Sequence, residues 1–326
     1  MATLVYHAGA LGDFITTFPA LRFWKERMHE DHIVLLGKPA FGELAREAGL
    51  IDKWLDLDER MHLPLFHDRF SPEADALLSR FSSALLFSDE DSPLVKNVRA
   101  SGIKRIHAQP PFPEQAIHAV DYHLSMLANP VTLSVEERTP RIAVAQKAIA
   151  ASYAIMPADR PFIAIHSGSG SQKKNWPFER FLNVADTLRQ KGFAIAWLQG
   201  PAEEGWPFPA HDTVVGERSL PVIAGLLSRS RLFMGNDSGM THLAASVNCP
   251  TIALFGPSDP VVWAPRGALV RVISKPTLCA PCHRTKGEEK PCGRACMTGI
   301  SVDEVVAAVA AAAFHSFGRT SSSLTE

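Results

Sequence analysis

No stretch of this chain approaches the roughly 18 consecutive apolar residues that a membrane-spanning helix needs. Its opening residues, Ala2-Thr3-Leu4-Val5-Tyr6, contain no basic segment leading into an apolar one. A cytoplasmic protein is therefore expected. An excess of charge is missing as well. The 33 Lys and Arg residues stand against 34 Asp and Glu, a formal net charge of -1, which gives no broad attraction for nucleic acid, and no nucleic-acid partner is expected. Cysteine is scarce, with five among 326 residues and four of them crowded between Cys279 and Cys296. That is not the distributed pattern of a disulfide-stapled secreted domain. No internal repeat of fixed period is present.

Two familiar nucleotide fingerprints are also absent. The first turn, Gly9-Ala10-Leu11-Gly12-Asp13, has the spacing Gly-x-x-Gly rather than Gly-x-Gly-x-x-Gly. The second expected strand ends Leu35-Leu36-Gly37-Lys38 without the acidic residue that would hold a ribose. A dinucleotide-dependent dehydrogenase is disfavoured on both counts, and no cofactor is expected. The P-loop spacing Gly-x-x-x-x-Gly-Lys-Ser/Thr is missing too.

What the chain does have is apolar material, 46% of residues against 21% charged, enough for two buried cores. Short β-rich runs alternate with amphipathic segments. Strands are expected at 3–6, 33–36, 54–57, 84–87 and 103–106, with helices at 13–28, 41–49 and 116–127. After a charged, Pro-containing passage the rhythm restarts, with strands at 162–166, 193–198, 231–234 and 251–255 and helices at 178–191, 220–227 and 302–314. The right-handed crossover rule then favours parallel, doubly wound sheets. The expected fold is α/β, with two Rossmann-like domains, 1–155 and 156–326, facing a cleft. The second would carry the Cys-rich loop, a C-terminal helix and a frayed Ser-rich tail.

Three stretches can carry chemistry. In the first turn, Gly9 and Gly12 permit close backbone approach, and Asp13 falls where a carboxylate caps a helix or acts as a general base. The second stretch is Ser167-Gly168-Ser169-Gly170-Ser171-Gln172-Lys173-Lys174-Asn175-Trp176-Pro177. It follows a strand and combines small residues, hydroxyls and two lysines, a composition suited to phosphate or to a solvated loop. The third is Asn236-Asp237-Ser238-Gly239-Met240-Thr241-His242-Leu243, a polar turn opening a helix between two apolar runs. Asp237 or Ser238 can cap that helix, while the amides of Ser238, Gly239 and Met240 and the His242 ring can meet a diphosphate. A carboxylate in Gly200-Pro201-Ala202-Glu203-Glu204 can accept from ribose or sugar hydroxyls.

Together these pieces resemble glycosyltransferase family 9, the lipopolysaccharide heptosyltransferases and their relatives. The resemblance rests on Gly9-Ala10-Leu11-Gly12-Asp13 with Thr17-Phe18-Pro19-Ala20-Leu21, on Lys174-Asn175-Trp176-Pro177, and on Asp237-Ser238-Gly239-Met240-Thr241-His242-Leu243-Ala244-Ala245 with Phe255-Gly256-Pro257. It implies the GT-B fold, with acceptor held mainly by the first domain and donor by the second. It also implies an inverting, metal-independent transfer of a sugar, heptose from an ADP-heptose donor, to a lipid-linked, lipopolysaccharide-core type acceptor. Asp13 then resembles the base, beside Gly9 and Gly12 of the acceptor-side loop. Ser167, Lys174 or Lys173, Glu204, Asp237, Ser238, Gly239 and His242 resemble donor contacts. The alternative is a nucleotide or nucleotide-sugar binding protein without transfer activity.

Two further features stand apart. Cys279, Cys282, Cys292 and Cys296 have spacing that suits a structural zinc, yet reduced thiols packed in a loop are the preferred reading, and no metal site is expected. Cys249 reads as a buried thiol. An amphiphilic acceptor implies peripheral membrane contact, for which Arg22, Lys25 and Arg27 on the first helix are a candidate patch and equally a solvated face.

Overall fold

The computed structural model describes residues 2–28, 32–282 and 293–315, so Cys292 and the Ser-rich tail lie outside the described residues. The chain divides into two compact units, Met1–Ala145 and Gln146–Glu326. The first unit runs β1 (Ala2–His7), α1 (Leu11–Thr16), α2 (Phe18–Arg27), β2 (Ile33–Gly37), α3 (Pro39–Glu47), β3 (Lys53–Asp56), α4 (Pro72–Leu78), β4 (Phe81–Phe87), α5 (Pro93–Ala100), β5 (Arg105–Gln109) and α6 (Ala119–Ser125). Its five strands are parallel in the order β3-β2-β1-β4-β5. Leu4, Leu36, Ala84 and Leu86 of the sheet pack against Ala74 and Leu78 of α4 and Val95 and Val98 of α5.

The helix expected over 13–28 is two helices. Pro19 has no N–H to give the Ile15 carbonyl, so a continuous ladder cannot pass it. The hydroxyls of Thr16 and Thr17 turn back onto the carbonyls of Asp13 and Phe14, at 2.6 and 2.7 Å. The second helix begins afresh, with Leu21 N–H donating to the Thr17 carbonyl. Asp13 is not the N-cap either. Helix α1 starts two residues earlier, and Asp13 lies in its first turn, accepting from the Ala10 N–H at 3.0 Å. That is the backward reach of a capping-box carboxylate.

The second unit runs α7 (Gln146–Ser152), β6 (Phe162–His166), α8 (Phe178–Gln190), β7 (Ala194–Leu198), β8 (Thr213–Val215), α9 (Leu220–Arg229), β9 (Leu232–Asn236), α10 (Gly239–Ser246), β10 (Thr251–Phe255), α11 (Pro260–Trp263), β11 (Val270–Ser274), α12 (Ala295–Thr298) and α13 (Val302–His315). Six parallel strands lie in the order β11-β10-β9-β6-β7-β8. Every residue of β6, β7, β9 and β10 is buried, as expected of a parallel sheet covered on both faces. One cluster joins Ile163, Ile165, Trp197, Met234 and Leu254 to Phe181 and Leu188 of α8 and to Val305 and Val309 of α13.

Residues 146–156 pack within this second unit rather than ahead of it. A side chain at Gly225 of α9 would collide with the Ala148 carbonyl, so α7 and α9 approach backbone to backbone. The Arg229 guanidinium lies 3.4 Å from the Tyr153 ring centroid and donates to Ser152 Oγ and the Met156 carbonyl.

Candidate functional site

Strand β6 leads to β7 and β8 on one side, while β9 leads to β10 and β11 on the other. The chain therefore leaves the carboxyl ends of β6 and β9 in opposite directions, the topological switch point where open α/β sheets form a ligand crevice. The loops that open there are those starting at Ser167 and Asp237, which the sequence marks as phosphate-friendly.

Asn236, fully buried at the end of β9, ties these loops together. Its side chain donates to the Ser167 carbonyl at 2.7 Å and accepts from the Trp176 N–H at 2.9 Å. Trp176 is the anchor of its own motif. Its ring is buried, and the indole N–H donates to the Ile300 carbonyl at 3.0 Å. Held from both sides, the preceding turn, Gln172–Lys174, brings Lys174 Nζ to 2.7 Å from Asp237 Oδ2. Lys173 is exposed. Of the two lysines, the fold brings Lys174 to the helix-bearing turn.

Helix α10 starts at Gly239; the Thr241 N–H donates to the Ser238 carbonyl at 3.1 Å, while the Gly239 and Met240 amides precede any helical acceptor. Ser238 occupies the N-cap position without capping. Its hydroxyl instead meets His166 Nδ1 and Thr241 Oγ1, each at 3.2 Å, and Thr241 Oγ1 donates to the Asn236 carbonyl. Gly239 and Met240 remain half-exposed. His242 is buried one turn on. Desolvation lowers its pKa, opposed by the Asp237 carboxylate, with Lys174 lowering it further and a hydrogen bond to the Trp263 backbone raising it. The net direction is down, and a ring N–H is engaged with the Trp263 backbone.

A cavity of about 490 Å3 lies beside this turn, within the range of small-molecule sites. Leu198, Pro201, Val215, Leu220 and Ile223 give it apolar lining, Glu204, Glu217 and Arg218 contribute charge, and His166 and Met240 connect it to the crevice. Of the two adjacent glutamates, Glu204 lines the cavity, whereas Glu203 is buried. Glu203 Oε2 accepts from the Gly200 N–H at 2.7 Å and stands 3.6 Å from His166 Nε2. Burial raises its pKa, but His166 and the Gly200 and Glu203 amides outweigh burial, and the carboxyl titrates below its ordinary range. Its other oxygen occupies the space a side chain at Gly168 would need. Ser167 Oγ is buried with no hydrogen-bond partner.

In the first unit the corresponding switch point lies between β1 and β4. Gly9 and Gly12 flank the turn into α1. A Cβ on Gly9 would come to 3.0 Å from the His7 ring and 3.2 Å from Asp13 Oδ2, so a side chain there would press on the carboxylate. The three cations of α2 each have a partner. Arg22 donates to the Arg141 carbonyl and Lys25 to the Gly49 carbonyl, both at 2.8 Å, and Arg27 pairs with Glu137 at 3.0 Å. No helix among the described residues is long and apolar enough to cross a membrane.

Cys279 is exposed, while Cys296 is buried with Met297 beneath Gly256. Cys249 is buried, its Sγ against the Ser230 and Pro250 carbonyls, and burial pushes its thiol pKa up. No group of three or more metal-ligating side chains occurs among the described residues. Sequence reasoning passes over His166, and it includes Asn236 and Glu203 in candidate stretches without giving either a role of its own. The available signal was a polar residue closing an otherwise apolar strand, as His166 and Asn236 both do.

Lipopolysaccharide heptosyltransferase 3 of Escherichia coli is 31% identical over 102 residues, 28% of this chain and 30% of that protein. Lipooligosaccharide heptosyltransferase 2 of Haemophilus ducreyi is 28% identical over 167 residues, 45% of this chain and 46% of that protein. The chain thus spans less than half the length of the curated relatives it matches. Among solved structures, E. coli ADP-heptose LPS heptosyltransferase II superposes with a TM-score of 0.75 at 17% identity, covering 97% of this chain and 100% of that one. A glycosyl transferase family 9 structure from Veillonella parvula gives 0.77 at 18% identity, covering 96% and 97%. These likenesses show the fold, two doubly wound α/β units of the GT-B type. The model of glycosyltransferase family 9 (heptosyltransferase) matches residues 99–292, more than half of the sequence, and the chain belongs to that family.

Proposed function

We propose that the protein transfers heptose from ADP-heptose to a lipopolysaccharide-core type acceptor, with inversion at the anomeric carbon and without a catalytic metal. The observation that carries this reading is the β6/β9 crevice. There, one polar turn presents first-turn amides, a lysine at 2.7 Å from Asp237, and an adjoining cavity of about 490 Å3. The apolar cavity lining suits a purine and Glu204 suits the ribose hydroxyls. The Gly239 and Met240 amides and Lys174 suit the diphosphate, whose growing charge on departure oriented donors can stabilise. Asp13 takes the proton from the acceptor hydroxyl as it attacks the sugar. The acceptor is a lipid-linked saccharide, which would bring the enzyme to a membrane surface during turnover.

The test is turnover with ADP-heptose and a core-type acceptor, with the anomeric configuration of the product read by NMR. Activity retained in excess EDTA and an inverted product are expected; retained configuration, or abolition by chelator, would overturn the mechanism. ADP binding without transfer to any acceptor would favour a binding protein. Lys174→Ala is expected to lower kcat/KM by about a hundredfold, on the scale of losing one transition-state donor. An unchanged value would remove Lys174 from the diphosphate.

A further inference from the structure

The hydrogens around Ser238 can be counted. Thr241 Oγ1 gives its proton to the Asn236 carbonyl, so in its 3.2 Å contact with Ser238 it can only accept. The Ser238 hydroxyl proton therefore points at Thr241. In the contact with His166, also 3.2 Å, Ser238 Oγ must then be the acceptor and Nδ1 must carry the proton. That leaves His166 Nε2 facing Glu203 Oε2 at 3.6 Å.

We propose that His166 is a positioning residue for the donor's diphosphate. Backed by Glu203, it fixes Ser238 and thereby holds the first turn of α10 with the Gly239 and Met240 amides open to the crevice. This deepens the donor-site reading and rests on it. Three features set the geometry. His166 closes β6 at the switch point and lines the cavity. Glu203 is itself clamped by the Gly200 N–H at 2.7 Å and pressed against Gly168, where no side chain fits. The Ser238 side chain, engaged by His166 and Thr241, does not close over the helix end as an N-capping serine would. Amides held in place before the ligand arrives cost no ordering when it binds.

The experiment is calorimetric binding of ADP and of adenosine to the full chain and to His166→Leu, His166→Asn, Ser238→Ala and the Ser238→Ala/His166→Leu double variant. His166→Leu is expected to weaken ADP about tenfold while changing adenosine by less than about twofold, a selective loss of the phosphate increment. His166→Asn, whose side-chain amide can set a donor where Nδ1 stands, should keep ADP within about threefold of wild type. In the Ser238→Ala background, His166→Leu should add less than about twofold, because the two groups act as one unit. Equal losses on ADP and adenosine, full additivity in the double variant, or failure of asparagine to rescue would each overturn the proposal. Absence of ADP binding by the wild type would end the donor-site reading along with it. Tight wild-type binding that His166→Leu leaves untouched would end this inference alone.

Discussion

Asp13→Asn is expected to slow sugar transfer by about a thousandfold, within the range of roughly 10² to 10⁴ that a positioned general base contributes, while ADP affinity stays within about twofold of wild type. Asparagine is the informative substitution. Its side-chain oxygen can still accept from the Ala10 N–H, the 3.0 Å contact that Asp13 makes at the start of α1, so the helix start survives while the basic oxygen is lost. Single-turnover transfer measured beside calorimetric ADP binding separates the two effects. Near-normal turnover in this variant would take the aspartate out of the chemistry.

Acidification is expected to unfold the first unit well before its carboxylates are protonated. His7 at the end of β1 and His123 on α6 are both buried, and Phe87 lies between them with centroids 5.9 and 5.1 Å away. Neither nitrogen of His123, nor Nδ1 of His7, has a hydrogen-bond partner. Burial, with Lys38 adding repulsion, lowers the His7 pKa to about 3. Burial, with His7 and His118 adding to it, lowers His123 to about 3 as well. Native rings thus stay neutral where unfolded ones, titrating near 6.5, take a proton. The unfolded state binds more protons throughout that window, so stability falls as pH drops from about 6.5 toward 3. Each histidine contributes about 1.4 kcal/mol per pH unit. By pH 4.5 the two together remove about 5 kcal/mol, comparable to the whole stability of a modest domain. Urea unfolding at pH 7.5, 6.0 and 5.0 reads this slope, and His123→Phe should halve it. A slope unchanged by that substitution would place the acid sensitivity elsewhere.

Much of this architecture was legible in the sequence because buried parallel strands are written as short apolar runs. Residues 162–166 and 251–255 are strands over those spans. Other elements were hidden for definable reasons. Strand β8 has three residues, too few to show a period, and β11 follows a Pro- and Gly-containing loop. Helix α7 sits in a charged, proline-bearing passage that reads as linker, and what assigns it is the glycine-permitted contact with α9, a tertiary fact. Within the site, composition and spacing pointed to both loops at the switch point. They could not choose between neighbours. Lys174 rather than Lys173 meets Asp237 because buried Trp176 fixes the register of the turn, and Glu203 rather than Glu204 turns inward because the short helical turn Pro201–Glu203 follows Gly200.

The order of strands in the second sheet also dictates when its crevice can come into being. Ile163 pairs with Leu232, and the Trp176 indole hangs on the Ile300 carbonyl, so during translation the emerging β6 has one edge bare until β9 leaves the ribosome. The lysine-bearing turn gains its first tethers with Asn236 and Asp237 and its last only when residue 300 arrives. Nucleotide capture by nascent chains stalled at successive lengths would therefore switch on late and abruptly, and until then the half-built sheet is a natural client for chaperones.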